Sequence, residues 1–300
     1  MEFNSLFLIH YKTHLRQMQS FSRPSPAGSP HSAPDTNPRR PARRKRQPND
    51  AGKSSPDFVE ALARGLSVMR CFSPDVRSLG NLELAQRTGL PKSTISRIVY
   101  TLTTLGYLRY HSDTGQYSPG YGVLALGFGC LANLEVRQLA RPLMESLAQA
   151  TGAAVALGAF DGEAMTYVDA VHGSAALYLR LPVGFRVAMN STMGRAYLAG
   201  MPARERQDLI DTLALSPDMD DMMKKACSDF EHTGCCYGIG DWQPGINAVA
   251  APFATLTGEG MFVISCGGPQ GILPEERLRT EVTDSLTAIV RKLSPPLSSR

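Results

Sequence analysis

At 300 residues the chain has room for about two domains of ordinary size. With 43% apolar residues it can bury substantial cores, which excludes disorder throughout, and no run of about 18 apolar residues is present to span a membrane. The net charge of +4 is unevenly spread. Residues 1–56 hold ten Lys/Arg against three Asp/Glu, residues 57–120 seven against five, and residues 121–300 fourteen against nineteen. A polyanion would therefore be met near the N-terminal end.

The start, MEFNSLFLIHYKTHLRQ, carries Glu2 in place of a basic leader and has no small-residue cleavage site. No secretory signal is read there, and the cytoplasm is the expected compartment. Residues 20–56 are dense in Pro, Ser, Asn and Arg with few large apolar side chains, so 1–56 is expected to be a disordered basic tail. The run RRPARRKR at 39–46 holds six positive charges in eight residues. It reads either as an arm gripping phosphates or as a solvated tail.

Order is expected from Phe58. In FVEALARGLSVMRCF the spacing of Val59, Leu62, Leu66, Met69 and Phe72 predicts an amphipathic helix, ended by Ser73-Pro74-Asp75. NLELAQRTG predicts a short helix with Leu82 and Ala85 inward. A third helix begins at Pro91, where the missing N–H costs nothing, and Ile95, Ile98, Val99, Leu102 and Leu105 form its apolar stripe. Leu108 and Tyr110, the turn Ser112-Asp113-Thr114-Gly115, and Tyr117 predict a hairpin. Three helices and a hairpin within 57–120 make a winged helix-turn-helix. The polar face of the third helix (Lys92, Ser93, Thr94, Ser96, Arg97 and Tyr100) is suited to base edges and phosphates in a major groove, and Arg109 of the wing to a phosphate.

Residues 121–150 predict helix, with Val136, Leu139, Ala140, Leu143 and Leu147 on one face. The preceding VLALGFGCLANL is apolar all round and must be covered, a second copy of the chain being the natural candidate. From Ala153 the pattern changes to strands and helices around one sheet. Asp161-Gly162 marks a hairpin, STMGRAYLAG and two later segments are helical, and PEERLRTEVTDSLTAIVRKL closes the chain. The fold class is α+β, with helices at 121–150 that a dimer partner would cover and a sensor-like domain at 151–296.

Six cysteines form no CxxC pair. His232 with Cys235 and Cys236 matches no common zinc spacing, so buried thiols are expected there and no metal or cofactor is assigned. No GxSxG, HExxH, GxxxxGK[ST] or strand-borne GxGxxG occurs. Asp169 and His172 are close enough in sequence to suggest acid–base chemistry, but no nucleophile accompanies them and no catalytic residue is assigned.

ALARGLSVMRCF, LAQRTGLPKSTISRIVYTLTTLGYL, TGQYSPGYGVLALG, NSTMGRAYLAG, PGINAVAAPF and ISCGGP, in that order, resemble the isocitrate lyase regulator (IclR) family of bacterial transcription factors. The resemblance runs from about Phe58 to Leu293. It implies a winged helix, a linker helix and a GAF-like C-terminal domain that binds a small organic acid, assembled as a homodimer or homotetramer on a double-stranded DNA operator. It also implies an effector pocket at Ser191, Thr192, Met193 and Gly194, where helix amides would hold a carboxylate, with Gly238, Ala248, Ser265 and Gly267. Of these last four only Ser265 keeps the polar character other members tend to have. With Tyr178 and Phe160 nearby, an aromatic or branched acid is expected. Two rival readings are a ligand-blind architectural DNA-binding protein and a small-molecule-transforming enzyme.

Overall fold

The computed structural model of the chain describes residues 57–174, 182–216 and 218–295. The basic tail, the 39–46 run and Tyr178 lie outside the described residues. The chain divides into two compact units, Met1–Val59 and Glu60–Arg300. Of the first, only residues 57–59 are described, and Phe58 and Val59 are exposed.

The second unit opens with α1 (Glu60–Met69), α2 (Asn81–Thr88) and α3 (Lys92–Thr104), followed by the hairpin β1 (Leu108–His111) and β2 (Gln116–Pro119). Their core is Val68, Leu79, Leu84, Ile95, Val99 and Leu108. Leu79 exchanges two backbone hydrogen bonds of 2.9 Å with Tyr117, which stitches the α1–α2 connection onto the hairpin. Helix α3 ends as expected at Gly106, whose φ of +79° suits glycine.

Two inward assignments change. Leu62 and Leu66 of α1 are exposed and Val68 is the buried residue, because the leucine stripe faces an open apolar groove instead of this core. In α2, Leu82 is exposed and Leu84 buried. Leu105 at the end of α3 is also exposed.

Residues 121–150 are not one helix. Helix α4 (Tyr121–Ala132) and α5 (Glu135–Thr151) meet at 78° across Asn133 and Leu134. None of the residues of α4 is buried. Helix α5 buries Val136, Ala140, Met144 and Leu147 as a regular stripe, while Leu139 is half exposed. No single helix among the described residues is long and apolar enough to cross a membrane.

The remaining strands are β3 (Ala154–Phe160), β4 (Met165–His172), β5 (Arg186–Val187), β6 (Cys236–Ile239), β7 (Ile246–Ala254) and β8 (Met261–Pro269). They form an antiparallel sheet in the order β5-β4-β3-β8-β7-β6. On one face lie α5 and the C-terminal helical segment: α9 (Glu275–Arg277), a π turn (Leu278–Val282) and α10 (Thr283–Leu293). On the other lie α6 (Thr192–Ala199), α7 (Ala203–Thr212) and α8 (Met219–Thr233). Alternation along each strand feeds the two cores separately, Leu157, Val249 and Ile264 entering the first and Ala156, Ala250 and Val263 the second.

Candidate functional site

Helix α3 is anchored by Ile95 and Val99 and therefore turns a polar face outward. Lys92, Ser93, Ser96, Arg97 and Tyr100 are exposed and Thr94 is half-buried. The helix contains no acidic residue. Among the described residues no carboxylate pairs with Arg97. Ser96 is partly engaged, its hydroxyl donating to the Lys92 carbonyl at 3.0 Å and accepting from Asn81 Nδ2 at 3.4 Å. Arg109 on β1 stacks over the Tyr121 ring at 4.8 Å and donates to its hydroxyl at 3.3 Å, which ties the wing to the start of α4.

The second site is a pocket, open to solvent, between the α6 face of the sheet and the start of α6. Its floor is a row of paired residues running across strands, His172 followed by the small Ala154, Gly267, Ala248 and Gly238. A second row supplies Ala170, Ala156 and Ser265. Helix α6 settles close onto this floor. A Cβ at Gly238 would lie 2.0 Å from Thr192 Oγ1, and one at Gly158 2.2 Å from Met193 Sδ, so a side chain at either position would push those α6 side chains aside.

Ser191 caps α6 by accepting from the Gly194 amide at 3.2 Å. The amides of Thr192 and Met193, first in the helix, have no intrahelical acceptor and carry its positive end. Among the described residues no acidic side chain lines the pocket; Ser191, Thr192, Ser265 and His172 are the polar ones there, and Tyr167, Val187, Trp242 and Ile246 complete the apolar wall. Burial pushes the Tyr167 hydroxyl up to about 12, so it stays a neutral phenol.

Of the residues expected here, Ser191, Thr192, Met193, Gly238, Ala248, Ser265 and Gly267 line the pocket. Gly194 does not: its amide is spent on the cap and its Cα is packed against the Met189 backbone. Phe160 instead stacks on Tyr197, with ring centroids 5.1 Å apart. Trp242, Tyr167 and His172 were missed as lining residues. The chain's single tryptophan sits in a Gly- and Pro-flanked loop, a signal present in the sequence; the other two follow only from strand register.

Asp169 and His172 do not form an acid–base pair. His172 lines the pocket, whereas Asp169 is fully buried toward α5, accepting from Arg141 at 2.8 Å. Cys235 and Cys236 likewise part company, one in each core, so they do not converge on a common ion. Burial raises both thiols, that of Cys235 to about 12. Among the described residues no three His, Cys, Asp or Glu side chains cluster as metal ligands would.

The IclR helix-turn-helix domain model matches residues 61–112, and the model for the bacterial transcriptional regulator IclR C-terminal domain matches residues 128–295. The crystal structure of an IclR family transcriptional regulator from Brucella abortus is similar, with 40% identity, a TM-score of 0.73, and coverage of 81% of this chain and 95% of that one. The HTH-type transcriptional regulator TsaQ1/TsaQ2 of Comamonas testosteroni is 27% identical over 82% of this chain and 91% of its own. The transcriptional repressor IclR of Escherichia coli (strain K12) is 24% identical over 79% and 90% respectively. A helix-turn-helix and a pocketed sheet, each falling within its own matched model, thus mark the chain as a member of the IclR family, a DNA-binding regulator of transcription and not an enzyme.

Proposed function

We propose that the chain binds its operator as a cytoplasmic dimer or dimer of dimers, and that a small organic acid in the α6 pocket modulates that binding. The observation that carries the ligand reading is the start of α6. Thr192 and Met193, whose amides are the first of the helix and have no helical acceptor, line a pocket walled by Tyr167, Trp242 and Ile246, and among the described residues no carboxylate lines it to repel an anion. A carboxylate seated there leaves an aromatic or branched body against the apolar wall. In the DNA reading, Lys92, Ser93, Thr94, Ser96, Arg97 and Tyr100 meet the major groove and Arg109 a phosphate.

Self-association is supported by α4, whose apolar residues Leu124, Leu126 and Phe128 are each about two thirds exposed. Leu126, with Val123, also lines an open groove with Leu62, Leu66, Met69, Leu102 and Leu105. An apolar surface of this extent on a soluble regulator calls for a partner.

The test is binding of the full chain to its own upstream DNA and to a scrambled duplex, at fixed salt, with and without a panel of aromatic and branched acids. Trp242, the only tryptophan, reports occupancy through its emission. Preference for the upstream duplex that one acid alters, together with a Trp242 response, is the expected result. Ser265→Leu should abolish both responses to that acid; retention of both would refute the pocket assignment. DNA affinity indifferent to every acid would favour the ligand-blind reading.

A further inference from the structure

Helix α5 is held to the sheet at two places by carboxylates from distant parts of the chain. Its N-cap residue, Leu134, offers no side-chain acceptor. Glu259, from the turn between β7 and β8, serves instead, accepting from the amides of Glu135 at 2.8 Å and Val136 at 3.0 Å. One turn further along, Arg137 and Arg141 reach Asp169 on β4. Arg141 Nη1 donates to Oδ1 at 2.8 Å, but Arg137 Nε stands 3.4 Å from Oδ2, and both of these last atoms are buried without a hydrogen bond. The end of the helix is pinned; its middle is gripped by a pair that is only half closed.

Asp169 lies at a register shift. Leu157 pairs with Asp169 and the next residue, Gly158, with Tyr167, so Val168 is extra and the strand bulges. The bulge turns Val168 and Asp169 toward α5 while Tyr167, Ala170 and His172 stay on the pocket. Among the described residues, the outer edge of β4 is met by the two-residue β5 and by Gly184 and Phe185, which exchange backbone hydrogen bonds of 2.8 and 2.9 Å with Tyr167. Tyr167 is thus held on that edge just before the bulge at Val168.

We infer that Asp169 is the positioning residue that carries the state of the pocket to α5, and through α5 to the DNA-binding half of the chain. This inference rests on the ligand reading above. Pressure on Tyr167 or Ala170 moves the bulge and shifts Asp169 against Arg137 and Arg141. Because Glu259 holds the first turn of α5 and Arg277 donates to the Ala150 and Thr151 carbonyls of its last, the displacement becomes a roll of α5 between two held ends. Helix α4, joined across the 78° bend, follows.

The experiment needs no identified ligand. Ala170→Leu fills the pocket from β4 and serves as a surrogate occupant. It is made in the full chain alone and together with Asp169→Asn. Amide hydrogen exchange over residues 135–151 and affinity for the upstream duplex are measured at fixed salt. Asp169→Asn alone should speed exchange in α5 and change DNA affinity about fivefold or more, the usual lower bound for coupled sites. Ala170→Leu should change both readouts in the parent and neither further in the Asp169→Asn background.

Equal effects of Ala170→Leu in both backgrounds would overturn the inference, as would an Asp169→Asn chain whose α5 exchange and DNA affinity match the parent. If Asp169→Asn does not melt cooperatively, Arg141→Gln breaks the same grip from its half-exposed side and takes its place. A role confined to stability would lower the melting temperature without removing the Ala170→Leu response. Failure of the ligand reading appears separately, as a Trp242 emission that no acid alters, and leaves these comparisons standing.

Discussion

Replacing Leu126 and Phe128 together with serine tests the proposed self-association with little risk to the fold, since α4 buries none of its residues. The two side chains are 63% and 69% exposed, so roughly two thirds of each is left for a partner to cover. Full burial of such a side chain is worth about 1.5–3 kcal/mol, which gives about 1–2 kcal/mol apiece for the uncovered part. A two-fold interface uses both copies, so four side chains contribute about 4–8 kcal/mol. Even the lower figure raises the dimer dissociation constant about a thousandfold. Sedimentation equilibrium over a range of concentrations reads this directly. The monomer itself should change in stability by no more than about 0.5 kcal/mol. The doubly substituted chain is expected to sediment as a monomer at concentrations where the parent is a dimer, and to lose affinity for a two-half-site duplex. A mass distribution identical to the parent's at every concentration would refute the assignment of α4 to the interface.

Three further outcomes are expected. Arg97→Ala should cost about 1–3 kcal/mol on the operator and much less on random DNA, measured by fluorescence anisotropy; an equal loss on both would make Arg97 a phosphate contact. Asp161 is partly buried, which alone would raise its carboxyl, yet hydrogen bonds from Arg186, Thr166 and the amides of Ala164 and Glu163 hold it at about 2. Its stabilisation is therefore present above the ordinary aspartate range and lost as pH falls from about 4 to about 2, so the about 1–2 kcal/mol gap in urea melts between the parent and Asp161→Asn should close over that window. Gly194→Ala would set a Cβ 2.4 Å from the Met189 backbone. It should destabilise the chain by about 1–3 kcal/mol, read as a lowered melting temperature; an unchanged one would show that α6 yields freely.

What could be read from the sequence was local. Pro91, Gly106, the Ser112–Gly115 turn and Asp161-Gly162 are signals whose structural effect is complete within a few residues, and each stands where expected. The errors came from helices too short or too apolar for periodicity to decide. In the eight-residue α2, Leu82 and Leu84 compete for one inward place. The break after α4 carries neither Gly nor Pro at its vertex; Asn133 closes the helix by donating from its side chain to the Gly129 carbonyl at 2.8 Å. In α1, Leu62 and Leu66 satisfy the pattern of a buried stripe because they do face apolar neighbours, across a groove instead of into the core. The pocket positions that came from family resemblance sit on its wall except Gly194. Tyr167 and His172 needed the pairing of β4 with β3, and Asp169 needed a bulge, which no local pattern announces.

The sheet that floors the pocket also has consequences for how such a protein changes over time. Val155, Leu157, Val249, Ile264 and Cys266 point into the core beneath α5 and α10. Their chain neighbours Ala154, Ala156, Ala248, Ser265 and Gly267 face the cavity. Strand alternation thus assigns cohesion and cavity shape to different residues one position apart. An Ala-to-Val or Ser-to-Ala exchange on the cavity side alters the volume and polarity offered to a guest and leaves the tightly filled opposite side as it was. A floor of small side chains is in this sense a blank: new molecular preferences can be written on it by single substitutions at Ala154, Ala248 or Ser265, away from Ala156, which also fills the core beneath α6, and Gly238, which α6 crowds.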